Sequence, residues 1–162
     1  VTEENQEGRF KRFYLEFFSR AVDFAAYFVR DESAARDVVN DVFLAIWEND
    51  QVAFDSSSKS YLFRAVKNRS INYLKKQGRM VDERSADEPH VNTTEELQDF
   101  QEAAQKVKKA IDQLPSRCRQ VFLLKRYSGL SNQEVADLLS ISHKTVENQM
   151  TRALKHLKNK LL

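Results

Sequence analysis

Only three glycines and two prolines occur in 162 residues. Tight reversals and left-handed backbone draw on glycine, and proline interrupts helices. A chain this poor in both has few sharp turns, which favours long helices over a sandwich or barrel. Hydrophobic residues make up 41% of the chain, enough to bury a core. The expected class is all-α.

Apolar spacing divides that expectation into elements. Phe10, Phe13, Tyr14, Phe17, Phe18, Ala21, Ala25 and Phe28 recur at helical intervals over 9–29 and predict a helix with a heavy aromatic core face. Asp31 is placed to cap a second helix over about 33–49, with Val38, Val39, Val42, Phe43, Ile46 and Trp47 on its apolar side. Trp47 is expected to be at least partly core. After the loop Asp55-Ser56-Ser57-Ser58, which ends in a cap, a third helix follows over about 59–77. Three helices with short joins can share one core.

From Gln77 to Thr94 the periodicity is lost, and the stretch reads as a flexible linker that lets the halves move independently, with His90 exposed in it. Thr93 and Glu96 then stand at capping-box spacing. Leu97, Phe100, Ala104, Val107, Ile111 and Leu114 form the next stripe, and Pro115 restarts the chain. The expected architecture is two small helical domains, 1–77 and 95–162, joined by a flexible linker over 78–94.

Net charge is only +2, but its distribution is uneven. Residues 31–58 hold seven acids and one base; 59–79 hold seven bases and no acid. Residues 82–102 hold eight acids and one base; 103–162 hold twelve bases and four acids. Two basic blocks separated by an acidic one suggest two anion-binding surfaces. Solvated helix faces are the plainer reading, and the two weigh about equally on charge alone.

The most informative stretch is 128–157. Ser128-Gly129-Leu130 reads as a turn, and Ser131 and Glu134 have capping-box spacing. Ala136 is small where two helices would cross, Ile141-Ser142 makes a break, and Val146, Met150, Ala153, Leu154 and Leu157 would face inward. This is a helix-turn-helix pattern, whose second helix enters a major groove. His143, Lys144 and Thr145 stand at its start, where backbone N–H groups favour phosphate. Asn148 and Thr151 would reach base edges, and Arg152, Lys155 and Lys158 would hold phosphates. Glu147 would accept from cytosine or support the helix.

The first half divides its chemistry between helices. On the second, Asp37, Asn40, Asp41 and Glu48 lie near Val42, Phe43, Ile46 and Trp47, which suits a basic protein partner. On the third, Arg64, Lys67 and Arg69 alternate with Tyr61, Phe63 and Tyr73, and with Asn68 and Asn72. Bases between aromatics suit unpaired DNA.

Together these residues closely resemble the sigma-70 family, in its two-domain extracytoplasmic function group. The run Ala34-Ala35-Arg36-Asp37-Val38-Val39-Asn40-Asp41-Val42-Phe43-Leu44-Ala45-Ile46-Trp47 is similar to that group's polymerase-binding helix. The family usually carries Gln at Asn40 and Glu at Arg36. The run from Lys59 to Leu74 is similar to its −10 element helix, and Leu114 to Phe122 with the helix-turn-helix resembles its −35 domain. The resemblance implies that Asp37, Asn40, Asp41, Phe43 and Trp47 meet core RNA polymerase. It implies that Tyr61, Phe63, Arg64, Lys67, Asn68, Arg69, Asn72 and Tyr73 handle the −10 element, with residues around 52–63 trapping a flipped base. It implies that His143, Lys144, Thr145, Asn148, Thr151, Arg152 and Lys155 meet the −35 element of promoter DNA. An anti-sigma factor is the further partner it implies, and it routes the acidic linker through the polymerase.

A helix-turn-helix regulator acting without polymerase is the rival reading. An enzyme is a weaker one, because no glycine-rich phosphate loop, zinc-spaced Cys/His set or nucleophile motif is present. No catalytic residue, metal, cofactor or small-molecule substrate is expected. Lone Cys118 reads as a buried filler and suggests a reducing compartment. No apolar run approaches the ~20 residues of a membrane span, so no membrane insertion and a cytoplasmic setting are expected.

Overall fold

The computed structural model describes residues 5–78 and 95–162, with side-chain surroundings defined from 98 onward in the second segment. Among the described residues are seven α-helices and no strand. The first, α1 (Gln6–Val29), begins three residues earlier than its aromatic pattern, because the Asn5 side chain accepts from the Gly8 N–H at 2.8 Å. It stops at Arg30, whose left-handed backbone (φ 61°) lets its N–H reach the Ala26 carbonyl. Asp31 then caps α2 (Glu32–Trp47) by accepting from the Ser33 N–H at 2.9 Å. Two residues therefore complete the reversal between these helices.

The third helix, α3 (Ser58–Lys76), follows a loop in which Asp55 accepts from both the backbone and the hydroxyl of Ser57. Ser58 is the first helical residue and is buried, and Ser57 at the cap position makes no side-chain cap bond. Aromatic rings of α1 hold the three helices together. Phe24 is fully buried, 5.2 Å from Phe28 and 5.4 Å from Phe63 of α3, and Phe13 and Phe10 lie about 6 Å from Phe43 of α2.

The remaining elements are α4 (Glu95–Asp112), α5 (Ser116–Ser128), α6 (Asn132–Leu139) and α7 (His143–Leu161). Pro115 occupies the cap of α5, and Gly129 (φ 69°) ends it. The last helix packs on α4, α5 and α6. Cys118, Leu124, Val135, Ala136, Val146 and Ala153 fill the space between them. Of the described stripe residues, Ile111 and Leu114 are buried, as is the neighbouring Ala110, while Phe100 is 73% exposed. Periodicity alone does not distinguish a covered stripe from an open one.

The linker expected over 78–94, His90 and the Thr93–Glu96 capping box lie outside the described residues or side chains, Gly78 excepted. The two groups of helices touch: α1 packs on α5, and α3 packs on α5 and α6. Arg30 donates to the Asp112 carboxylate at 2.7 Å across that contact. No helix among the described residues is long and apolar enough to cross a membrane.

Because Phe24 joins α1 to α3, Phe24→Ala is expected to cost about 3–5 kcal/mol of unfolding free energy, as buried aromatic truncations do. Urea denaturation followed by far-UV circular dichroism measures it. A loss below about 1 kcal/mol would mean that the ring cluster is not the organising core.

Candidate nucleic-acid and protein interfaces

The helix-turn-helix is built by its caps. Ser131 and Glu134 form a reciprocal capping box at the start of α6, with bonds of 3.1 Å in each direction. Ser140 ends α6 in the left-handed region (φ 56°), and the Ile141 N–H returns to the Ala136 carbonyl at 3.0 Å. Ser142 then opens α7, its hydroxyl oxygen accepting from the Thr145 N–H at 3.0 Å. Ala136 is almost fully buried, as a small residue at a close crossing should be.

On α7, Lys144, Asn148, Thr151, Arg152 and Lys155 are exposed and, at 100° per residue, share one face. His143 is exposed beside them, whereas Thr145 is half-buried and its hydroxyl lies 2.7 Å from that of Ser142. Thr151 donates its hydroxyl to the Glu147 carbonyl at 3.0 Å, which leaves the methyl and the hydroxyl oxygen's acceptor lone pairs for a base. Glu147 sits 3.3 Å from His143 Nδ1, an ion pair when that ring is protonated, and 3.6 Å from Lys144 Nζ. Of its two expected roles, the supporting one is observed.

On α2, Asp37, Asn40 and Asp41 are exposed and Trp47 is 40% exposed. Phe43 differs: it is 2% exposed, with Tyr14, Phe13, Phe10 and Phe18 around it at 5.0–6.2 Å. The ring packs mainly against α1, and its small remaining exposure lines the groove between α1 and α2. Leu44, 58% exposed, stands beside it on the same groove. It was legible as the residue four after Asn40 and three before Trp47. With Phe10, Lys11 and Tyr14 of α1, these residues line a groove of about 540 Å³.

The third helix presents two sides. Tyr61, Asn68, Arg69 and Asn72 line a cleft of about 220 Å³ against Val42, Ala45 and Ile46 of α2. Asn49 donates to the Tyr61 hydroxyl at 3.4 Å. Arg69 is held by Asp41 at 3.3 Å, so a cation expected on DNA is paired with an acid expected on a protein. Arg64 is exposed and Lys67 half-buried on the other side, which looks toward α5 and α6. Burial, then the nearby Arg117 and Arg64 guanidiniums, push the Lys67 ammonium pKa below its ordinary value. Tyr73 is partly buried against the core. Phe63 is fully buried, between Phe24 at 5.4 Å and Phe17 at 6.4 Å. Its expected contact with a base is corrected on that ground.

A further cavity of about 340 Å³ opens beside the loop before α3, lined by Arg9, Arg12, Phe13, Phe54, Asp55 and Lys59 among others. Phe54 forms part of its wall at φ 55°, a backbone conformation costly for a bulky side chain and met mainly at functional sites. Arg9 and Arg12 were missed in the sequence because they lie on the polar side of a helix read for its core. Cys118 is fully buried, and its thiol faces the Gln149 carbonyl at 3.3 Å. Among the described residues no group of His, Cys, Asp and Glu could hold a metal.

Comparison with known proteins agrees with this geometry. The family described as Sigma-70 region 2 matches residues 13–80, and Sigma-70, region 4 matches 104–157. The ECF RNA polymerase sigma-E factor of Escherichia coli strain K12 is 29% identical over 138 residues, covering 77% of this chain and 72% of that protein. A probable RNA polymerase sigma factor of Haemophilus influenzae is 23% identical, covering 87% and 84%. The structure of CnrH in complex with the cytosolic domain of CnrY superposes with a TM-score of 0.70 at 25% identity, covering 97% and 89%. The sigma factor RpoE of Bartonella quintana, in complex with the anti-sigma factor NepR, gives 0.69 at 24%, covering 94% and 96%.

The Ser131 N–H and then its hydroxyl, together with Lys59 and Ser60, hold the Glu134 carboxyl below its ordinary 4.5, against a smaller opposing effect of burial. A carboxylate depressed in the folded state stabilises fully above its unfolded pKa and loses that contribution as pH falls through the folded value. Between pH 7 and about 3, wild type should therefore lose more stability than Glu134→Gln, measured by urea unfolding. Parallel losses would show that the box contributes no charge-dependent stability.

Proposed function

The chain belongs to the sigma-70 family, in its extracytoplasmic function group of RNA polymerase sigma factors, and from that premise we propose which of its surfaces does which part of promoter-specific initiation. The proposed units are 1–77 for polymerase and the −10 element and 95–162 for the −35 element, with 78–94 joining them. The observation that carries the division is spatial. An acidic and apolar face, a cation-rich single-strand face and a cation-rich groove helix occupy three different helices, each open to solvent over part of its surface.

Core RNA polymerase takes the outward ridge of α2: Asp37, Asn40, Asp41, Leu44 and Trp47, continued by Phe10 and Tyr14 along the groove. The apolar residues supply buried area, and the acids select a basic surface and speed its approach. Arg36, which pairs with Glu32 at 3.2 Å, stays at the rim of that surface.

The −10 element takes Tyr61, Arg64, Lys67, Asn68, Arg69, Asn72 and the exposed part of Tyr73. Cations follow the backbone of a separated strand, and Tyr61 offers a ring for stacking. The cavity beside Phe54 takes the extruded base, whose cost of unstacking is recovered inside a pocket walled by rings and fringed by Arg9 and Lys59. The −35 duplex takes Lys144, Asn148, Thr151, Arg152 and Lys155, with His143 and Thr145 at the phosphate near the start of α7. Asn148 is suited to adenine and the Thr151 methyl to thymine. The chemistry of chain elongation belongs to the polymerase, so this chain needs no catalytic group, and its place of action is the cytoplasm. An anti-sigma factor covering the α2 groove is the proposed regulator, by likeness to the RpoE–NepR complex.

Incubating the chain with core polymerase and a randomised promoter library, then sequencing transcript starts, tests the whole reading. The expected result is starts downstream of paired −35 and −10 motifs at constant spacing. Uniform failure with active core would favour a regulator acting alone. Arg152→Ala should weaken −35 duplex binding and lower the salt slope by about one while leaving core affinity unchanged. Asp41→Ala should weaken core binding yet shift unfolding free energy by no more than about 1 kcal/mol, as an exposed ion pair does. Equal loss of folding and binding would mean that the face is structural.

A further inference from the structure

The helix α4 carries an apolar seam that its own chain covers only at one end. Leu97, Phe100, Ala104, Val107, Ile111 and Leu114 follow one another by three and four residues in turn, which is the a/d spacing of a coiled coil. Ile111 and Leu114 enter the core, and α7 is the main helix against which α4 packs. The same line then runs out into water. Ala104 is exposed, Val107 is 41% exposed, and Phe100, at 73%, is the most exposed ring among the described residues. Every residue from 102 to 109 is exposed, so about two turns of α4 have solvent on all sides. Helices of this kind draw most of their stability from packing an apolar face, not from propensity.

Charge along α4 is segregated. Glu95, Glu96, Asp99 and Glu102 fall in its first half, and Lys106, Lys108 and Lys109 in its second. Asp112, the acid at its end, is held by Arg30. Such a helix is complementary to itself when reversed: acids of one copy meet lysines of the other, and the two helix dipoles oppose. In parallel register like charges would coincide and repel. Reversal about Ala103 and Ala104 also sets Phe100 of one copy opposite Val107 of the other. Two small residues then stand at the centre, where the axes come closest.

We propose that the open seam of α4 is a homodimer interface: two copies of the chain pair antiparallel through Phe100, Ala104 and Val107, about a twofold axis at Ala103 and Ala104. The contact is isologous, so it closes at two copies. Its seam is short, which places it among weak interfaces, with a dissociation constant of roughly tens of micromolar. Lys144, Asn148, Thr151, Arg152 and Lys155 of α7 take no part in the seam, so the pairing does not depend on what α7 binds.

Sedimentation velocity on the full chain, from about 1 to about 300 μM, reads the association. The weight-average mass is expected to rise from one chain toward two. Phe100→Glu should raise the dissociation constant roughly tenfold or more. Phe100 is exposed, so the variant should keep the far-UV circular dichroism and melting temperature of wild type. Raising salt from about 0.05 M to about 0.5 M should weaken the wild-type dimer several-fold, because its charges are screened. Orientation is read by oxidative cross-linking. Mixed Phe100→Cys and Val107→Cys chains should form the mixed disulfide faster than either forms its own, and the fully buried Cys118 stays out of the reaction. A chain that remains monomeric throughout overturns the proposal and leaves the seam to another occupant, either the chain's own 78–94 segment or a different protein. A dimer that survives Phe100→Glu also overturns it, since the pairing then lies elsewhere. Faster self-cross-linking overturns the antiparallel register.

Discussion

The aromatic face of α1 is the constraint on which the first half depends. Phe10, Phe13, Phe17 and Phe24 each reach a ring on α2, on α3 or in the loop between them. A ring buries large area and packs only in a few orientations. Once α1 has claimed the inner faces of its two neighbours, their outer faces are fixed. Asp37, Asn40, Asp41 and Leu44 are turned outward because Val38, Val39, Val42 and Phe43 are turned inward. The same reasoning applies to α3, where Leu62, Phe63 and Val66 face inward and Tyr61, Arg64 and Asn68 do not. The functional surfaces are complements of the core.

Placing an acidic helix beside a cationic one has an electrostatic consequence. Arg69 and Asp41 neutralise each other at 3.3 Å, both about half exposed. Such a pair contributes little to stability and exchanges readily with other charges. A basic partner that takes Asp41 leaves Arg69 available for phosphate. On the proposed assignment, docking on the α2 ridge and binding of DNA along α3 would share one ion pair. Such sharing would favour the complex of all three components over either binary one.

Much of this was legible in the sequence, and the exceptions have physical reasons. Helix positions follow from periodicity and caps, and Asp31, Ser131 and Ser142 all cap as their spacing implies. The exposed face of α7 follows from the same 3.6-residue period, except that Leu154, expected inward, is 55% exposed. Phe63 was placed outward because a ring next to an outward base can lie on either side of a helix boundary. Only the contacts made by α1 decide it. The cavity beside Phe54 was legible as a segment, 52–63, but not as a shape, because Arg9 and Arg12 reach it from an element some forty residues earlier. The contact between the halves left no mark on the sequence. Arg30 and Asp112 are ordinary helix-end charges 82 positions apart.

Those helix-end charges also explain why the halves can be joined without being fused. Bringing a guanidinium and a carboxylate out of water is costly, and their attraction at 2.7 Å roughly offsets that cost instead of adding a large surplus. The Tyr27 hydroxyl shows the same dryness: burial, then the neighbouring Tyr127, push its pKa upward. Against these contacts stands the crowding of Lys67 by Arg117 and Arg64. Arg117, Lys67 and Arg64 are also the groups a phosphate backbone would satisfy.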